Sequence, residues 1–282
     1  MKNLKKIVAV ILAVVITTTV FAGCGNSGKV KVIDIPLSEE EYAFAVSQND
    51  TEFLSSINAF LAEIKSNGKF DEICNNYFGD GTPQKFESAS LDTSKKQLVV
   101  ATATGFEPFE MVDENKQFYG IDMEIAKLLG EKLGLEVVIQ DMDFDAVVSS
   151  VQSGKCNIAM AGLSVTPERQ KVVTFTDSYY NASQVVVVNE ENTEFDNCKT
   201  KEDVVAVLNS YDANTKIGCQ QGTTGELYIK GDKDYEFDGL KATPESFKLV
   251  ALAITAMTQG KVSAVIVDNG PAKAVSAKIN GD

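Results

Sequence analysis

Short apolar runs alternate with stretches of helical periodicity along most of this chain, and that alternation constrains the fold more than any other feature. Strands are expected at 97–103, 135–140, 157–161, 184–188, 215–219 and 263–267, with helices at 121–133 and 145–152 between them. Strand, helix, strand in succession builds a sheet with helices laid on its faces, so the chain reads as α/β. Two further helices come earlier. Over 51–66, Phe53, Ile57, Phe60, Leu61 and Ile64 share one face and Asn67-Gly68 ends the run. Phe70, Ile73 and Tyr77 mark a second helix over 69–78. Residues 79–96, rich in Gly, Pro, Ser, Lys and acid, read as a linker. Thr243 as cap and Pro244 at the first helical position predict a helix over 244–258. With 282 residues and 44% apolar content, the chain suffices for one large or two ordinary domains.

Composition removes whole classes of function. The chain contains no His, so neither a Ser-His-Asp nor a Cys-His site can be assembled, and no metal set is expected. Lys and Arg number 26 against 40 Asp and Glu, a net charge of −14. Such a surface repels phosphate backbones, so nucleic acid is not an expected partner. The turn Gln220-Gln221-Gly222-Thr223-Thr224-Gly225 lacks the Lys of a phosphate-binding loop, and no cofactor is expected.

The first residues read as an address. Lys2, Lys5 and Lys6 precede an apolar run from Ile7 to Phe21, short against the about 20 residues that span a bilayer. Phe21-Ala22-Gly23-Cys24 resembles a lipobox, although Phe21 is less usual than Leu there. Residues 1–23 are therefore expected to be a lipoprotein signal peptide, Cys24 the lipid carrier and 24–28 a tether; a plain signal with an incidental Cys is the alternative. Cys74, Cys156, Cys198 and Cys219 form no CxxC and are expected to be unpaired structural thiols, though export leaves one disulfide open.

Several residues past strand ends could carry chemistry. Arg169 is the sole Arg. Its planar fork grips a carboxylate with two parallel hydrogen bonds, which Lys cannot do. Thr166-Pro167-Glu168-Arg169 reads as a cap and first helical turn, where a cation opposes the helix dipole. A bound anion would account for it, as would a local acid. Gln220 and Thr224 flank a Gly/Thr turn after a strand. Asp268 ends an apolar strand, where it can take a ligand ammonium or cap the following helix. Phe106 and Phe144 follow strands as pocket walls or as core. Ligands of open α/β sheets bind past strand ends, and an anion grip, a cation partner and aromatic walls suit an α-amino acid.

At this point the sequence resembles the extracellular solute-binding proteins of amino-acid ABC transporters, bacterial family 3. The resemblance rests on 98–102 with Phe106-Glu107-Pro108-Phe109, Gly120-Ile121-Asp122, Met142-Asp143-Phe144 and Gly162 to Arg169. It continues through Phe175 to Tyr180, Gln221 to Thr224 and Gly260 to Asp268. It implies a two-lobed, hinged fold of the type 2 periplasmic binding kind. It implies that Arg169 clamps an α-carboxylate with Ser164 and the Thr224 backbone. Asp268 and the Gly162 carbonyl would take the ammonium, Phe106 and Phe144 would wall the pocket, and Gln220 would line it. The implied partners are an amino acid, an ABC permease and, through lipid, the outer face of the bacterial membrane (the periplasm where there is an outer membrane). A monomer and no enzymatic activity are expected. Ala103 and Val267 stand where some relatives carry Asp and His, which makes the pocket less polar. A sensing module uncoupled from transport and a cyclohexadienyl dehydratase-like enzyme are the alternatives.

The family's late elements stand at the front of this chain. Val32-Ile33-Asp34-Ile35 resembles its late strand, Glu41 to Val46 its return hinge strand and 51–79 its terminal helices. A circularly permuted order is inferred. It gives a first lobe of 39–189, including a reconnecting linker 80–96, and a second lobe of 29–38 plus 190–282, with hinges near 39–46 and 183–190.

Overall fold

A computed structural model describes residues 28–281; the expected signal segment 1–23 and Cys24 lie outside the described residues. Two five-stranded sheets organise the chain. In the first, the order is Thr174–Phe175, Ala45–Val46, Ile158–Ala159, Gln97–Thr102, Glu136–Asp141. In the second, it is Val30–Ile33, Gln184–Asn189, Ala264–Asp268, Lys216–Gln220, Thr243–Phe247. Each sheet is parallel where helices connect its strands and antiparallel where the chain arrives from the other sheet. Helices cover both faces, which is why Val185 to Val188 is buried throughout rather than alternating. The sheets mark two lobes. The chain passes between them through Glu40–Tyr42 and Tyr180–Ala182, which pair antiparallel as a narrow ribbon, Tyr42 opposite Tyr180 and Glu40 opposite Ala182.

The first lobe takes its core from both ends of its sequence. Asp50 accepts the Phe53 N–H and caps the helix Thr51–Ser66, whose Ile57, Phe60, Leu61 and Ile64 are buried with Leu98 and Val100 of the sheet. The helix Lys69–Phe78 follows and packs on Ile121–Leu133. Glu124 of that last helix, itself buried, ties the contact together by accepting from Tyr77 Oη at 2.7 Å and Asn76 Nδ2 at 3.1 Å. Residues 80–96 include no buried side chain, although Phe86–Glu87 adds a short strand beside Gln117–Tyr119.

Two expectations are corrected. No helix begins at Pro244: Thr243–Phe247 is the outer strand of the second sheet, and the helix runs Val250–Thr258 from a cap at Leu249. Proline lacks the N–H that an inner strand must donate but is tolerated at a sheet edge, and here only Lys216–Gln220 pairs with the strand. Gln184–Asn189, assigned to the first lobe, lies inside the second sheet between Val30–Ile33 and Ala264–Asp268, so the second crossing falls before residue 184. Among the described residues no helix is long and apolar enough to cross a membrane.

Candidate functional site

The turn from Gly162 to Arg169 is held from beneath. Asp122, fully buried, accepts the Gly162 N–H on Oδ2 at 2.9 Å and the Tyr179 hydroxyl on Oδ1 at 2.6 Å. Burial pushes its carboxyl up to about 7. Gly162 has φ of +51°, and a Cβ there would stand 2.6 Å from the Phe106 ring, so only glycine fits. Thr166 caps the short turn Pro167–Gln170 by accepting the Arg169 N–H, as its sequence requires.

Arg169 extends from that turn toward the second lobe. Its guanidinium lies 5.3 Å from the Phe144 ring centroid. Nη1 donates to the Ser164 carbonyl at 2.6 Å and Nη2 to the Gly222 carbonyl at 3.1 Å, so one side chain touches both lobes. Burial lowers its proton affinity, and the charge of Glu40 works against that. An Arg has five N–H donors, and these carbonyls occupy two of them.

Asp268 stands at the N-cap position of the helix Asn269–Asn280 but makes no capping bond. Its Oδ1 accepts the Tyr42 hydroxyl at 2.6 Å instead. The side chain is buried, and burial followed by the charge of Glu40 pushes its carboxyl up to about 7. Gln220 is buried with Nε2 on the Lys248 carbonyl at 3.0 Å. Thr224 opens the helix Thr224–Lys230. Gly222 gives its N–H to Glu226 at 2.7 Å, so that part of the turn is already taken.

Two residues in contact with these escaped the sequence reading. Tyr42 holds Asp268 and packs edge-on to Phe109, with centroids 5.1 Å apart. Glu40 accepts from Ser38 on Oε1 and from both Ser164 and Thr224 on Oε2, each at 2.7 Å. Glu40 sits in the run Glu39-Glu40-Glu41, which looks like a solvated charge cluster. Strand alternation buries it between two exposed neighbours, with Tyr42 on the same face. Among the described residues no group of three or more Asp, Glu or Cys is arranged to hold a metal.

Around the cleft rim, Asp143 pairs with Lys248 at 2.7 Å, Asp145 accepts from Gln221 at 2.7 Å and Lys171 pairs with Asp234 at 3.0 Å, each joining the two lobes. A cavity of about 440 Å³ opens there, lined by Ala103, Asp141, Asp143, Phe144, Gln220 and Lys248 among others.

Two α/β lobes joined by a paired ribbon, with a guanidinium, buried acids and aromatic rings gathered where they face each other, define a two-lobed binding protein. The chain belongs to the bacterial extracellular solute-binding proteins, family 3, whose sequence model matches residues 98–268. It is 36% identical over 105 residues to the arginine-binding extracellular protein ArtP of Bacillus subtilis, across 37% of this chain and 41% of that protein. It is 29% identical over 181 residues to a probable histidine-binding protein of Campylobacter jejuni, across 64% and 63%. These matches span less than two thirds of either relative. Among solved structures, holo ArgBP from T. maritima aligns with a TM-score of 0.53 at 34% identity, over 66% of this chain and 74% of that one. The ancestral amino acid-binding protein AncCDT-1, described as a precursor of cyclohexadienyl dehydratase, aligns at 0.55 and 32% identity over 65% and 74%.

Proposed function

We propose that this protein captures an α-amino acid with a cationic side chain between its lobes and delivers it to an ABC permease, held at the outer membrane face by lipid on Cys24. The observation that carries the reading is the placement of Arg169 against both lobes, opposite a buried Asp268 that caps nothing. In this reading Arg169 and main-chain N–H groups at Ser164 and Thr224 take the ligand carboxylate. Asp268 and the Gly162 carbonyl take its ammonium, and Phe106 and Phe144 flank it. The tail points into the cavity at Ala103 and Gln220. Asp141 and Asp143 on that cavity favour a positive tail, and Lys248 on Asp143 occupies the place such a tail would contest. Relatives named for arginine and histidine support the same choice.

The test is a thermal-shift screen of the twenty amino acids followed by calorimetry. A ligand at 100 times its Kd adds about 2.7 kcal/mol of stability, and arginine or lysine is expected to give the largest shift. Arg169→Lys is expected to weaken binding more than about tenfold, since a charged hydrogen bond contributes about 1.5–3 kcal/mol and 1.4 kcal/mol is tenfold. No shift with any amino acid would reject the reading; wild-type affinity in the variant would remove Arg169 from the site.

A further inference from the structure

We propose that Glu40 is a positioning residue that clasps the two lobes together, its one carboxylate oxygen joining Ser164 of the first lobe to Thr224 of the second. Ser164 follows the strand Ile158–Ala159 of the first sheet, and Thr224 follows Lys216–Gln220 of the second. Both hydroxyls donate to Oε2 at 2.7 Å. An ordinary buried acid satisfied within one lobe would be indifferent to closure. This one lies in the ribbon between the lobes, and opening the cleft must break at least one of its two bonds.

The surroundings fix the carboxylate where the clasp needs it. Glu40 is 4% exposed, and among the described residues no ion pair includes it. A buried carboxylate without a contact ion pair is costly unless hydroxyls or amides satisfy it; three hydroxyls do so here, and the charge of Arg169 adds attraction. The third, Ser38, donates to Oε1 at 2.7 Å and itself accepts the Gln184 N–H at 2.9 Å. Gln184 also donates through Nε2 to Thr224 Oγ1 at 3.0 Å, so the Thr224 hydroxyl receives from its own sheet and gives to the ribbon. Hydrogen bonds to a carboxylate are about twice as strong as neutral ones, which makes two of them on one oxygen a device able to shift a lobe-closing equilibrium. The two residues the clasp joins are also those proposed to meet the ligand carboxylate through their backbone. The clasp itself does not rest on that reading.

The experiment compares small-angle X-ray scattering of the ligand-free wild type with Glu40→Gln, which keeps the shape and removes the charge, and with Thr224→Val, which keeps the shape and removes the hydroxyl. Both variants are expected to shift the closed-to-open ratio toward open by about tenfold while remaining folded at 25 °C. The double variant is expected to be no more open than the worse single one, because both break the same bond. With L-arginine as probe, stopped-flow dissociation from Glu40→Gln is expected to quicken by a similar factor while association stays within about twofold. Scattering curves that coincide between wild type and both variants overturn the clasp, as do additive effects in the double variant. If Glu40→Gln fails to fold, Thr224→Val decides alone. If the wild type binds no amino acid, the ligand reading fails and the scattering comparison still judges Glu40.

Discussion

Asp268 and Asp122 are two buried carboxyls held near neutrality, each pushed up to about 7 by burial. Their ordinary value is 3.8, so between about 3.8 and about 7 the folded chain holds protons that the unfolded chain has released. Stability therefore falls as pH rises through that window and is greater at its acid end. The thermal midpoint is expected to be higher at pH 5.5 than at pH 8, and Asp268→Asn should flatten the profile; a midpoint that climbs steadily toward pH 8 would contradict this. Ligand binding runs the other way. An ammonium needs Asp268 ionised, so binding near pH 6.5 is expected to release a proton, detected by calorimetry in buffers of different ionisation enthalpy. Asp268→Asn should harm amino acids more than the matching deaminated acids, which bring no ammonium. Equal losses for both would assign Asp268 to structure alone.

At the scale of elements, what the sequence made legible is what one element carries by itself. The helix Thr51–Ser66 runs over the residues its periodicity predicts, because its buried face and its Asp50 and Asn67 ends are all local. The segment at Pro244 was misread because its local signals favour a helix start, while its place at a sheet edge depends on a partner strand distant in sequence. The same limit explains the site. Arg169 and Asp268 stood out by residue type and by their positions after strands. Glu40 and Tyr42 did not, because their importance comes from hydroxyl and carboxylate groups of other elements meeting at the ribbon. Helix burial gives a direct test of how the early segment is used. Ile57 is fully buried against the first-lobe sheet, so Ile57→Ala is expected to lower unfolding free energy by about 2–5 kcal/mol in urea titration. A loss below about 0.5 kcal/mol, typical of exposed positions, would mean the helix is not part of that core.

For the whole molecule, we propose that the order of its parts is a circular permutation of the family's. The strand Val30–Ile33 lies in one sheet with Ala264–Asp268, separated only by Gln184–Asn189. Val30 and Asn280 exchange hydrogen bonds, N–H to Oδ1 and Nδ2 to carbonyl, each at 2.9 Å. The helices Thr51–Ser66 and Lys69–Phe78 pack in the first lobe. Residues near Gly28 and Gly281 are thus neighbours on the second lobe, while the bond between Gly79 and Asp80 lies at an exposed point of the first. A chain rewritten to begin at Asp80, run to Asp282 and continue from Gly28 to Gly79 would keep every packing contact and change only two connections. Moving an exposed connection costs little, since loop-closure entropy grows by only about 0.6 kcal/mol per doubling of loop length. The rewritten chain is expected to unfold in one cooperative transition within a few degrees of the original and to bind the same amino acid with the same affinity. Failure to fold would mean that the segment before residue 80 depends on its present connection, and the permuted order would lose its physical basis.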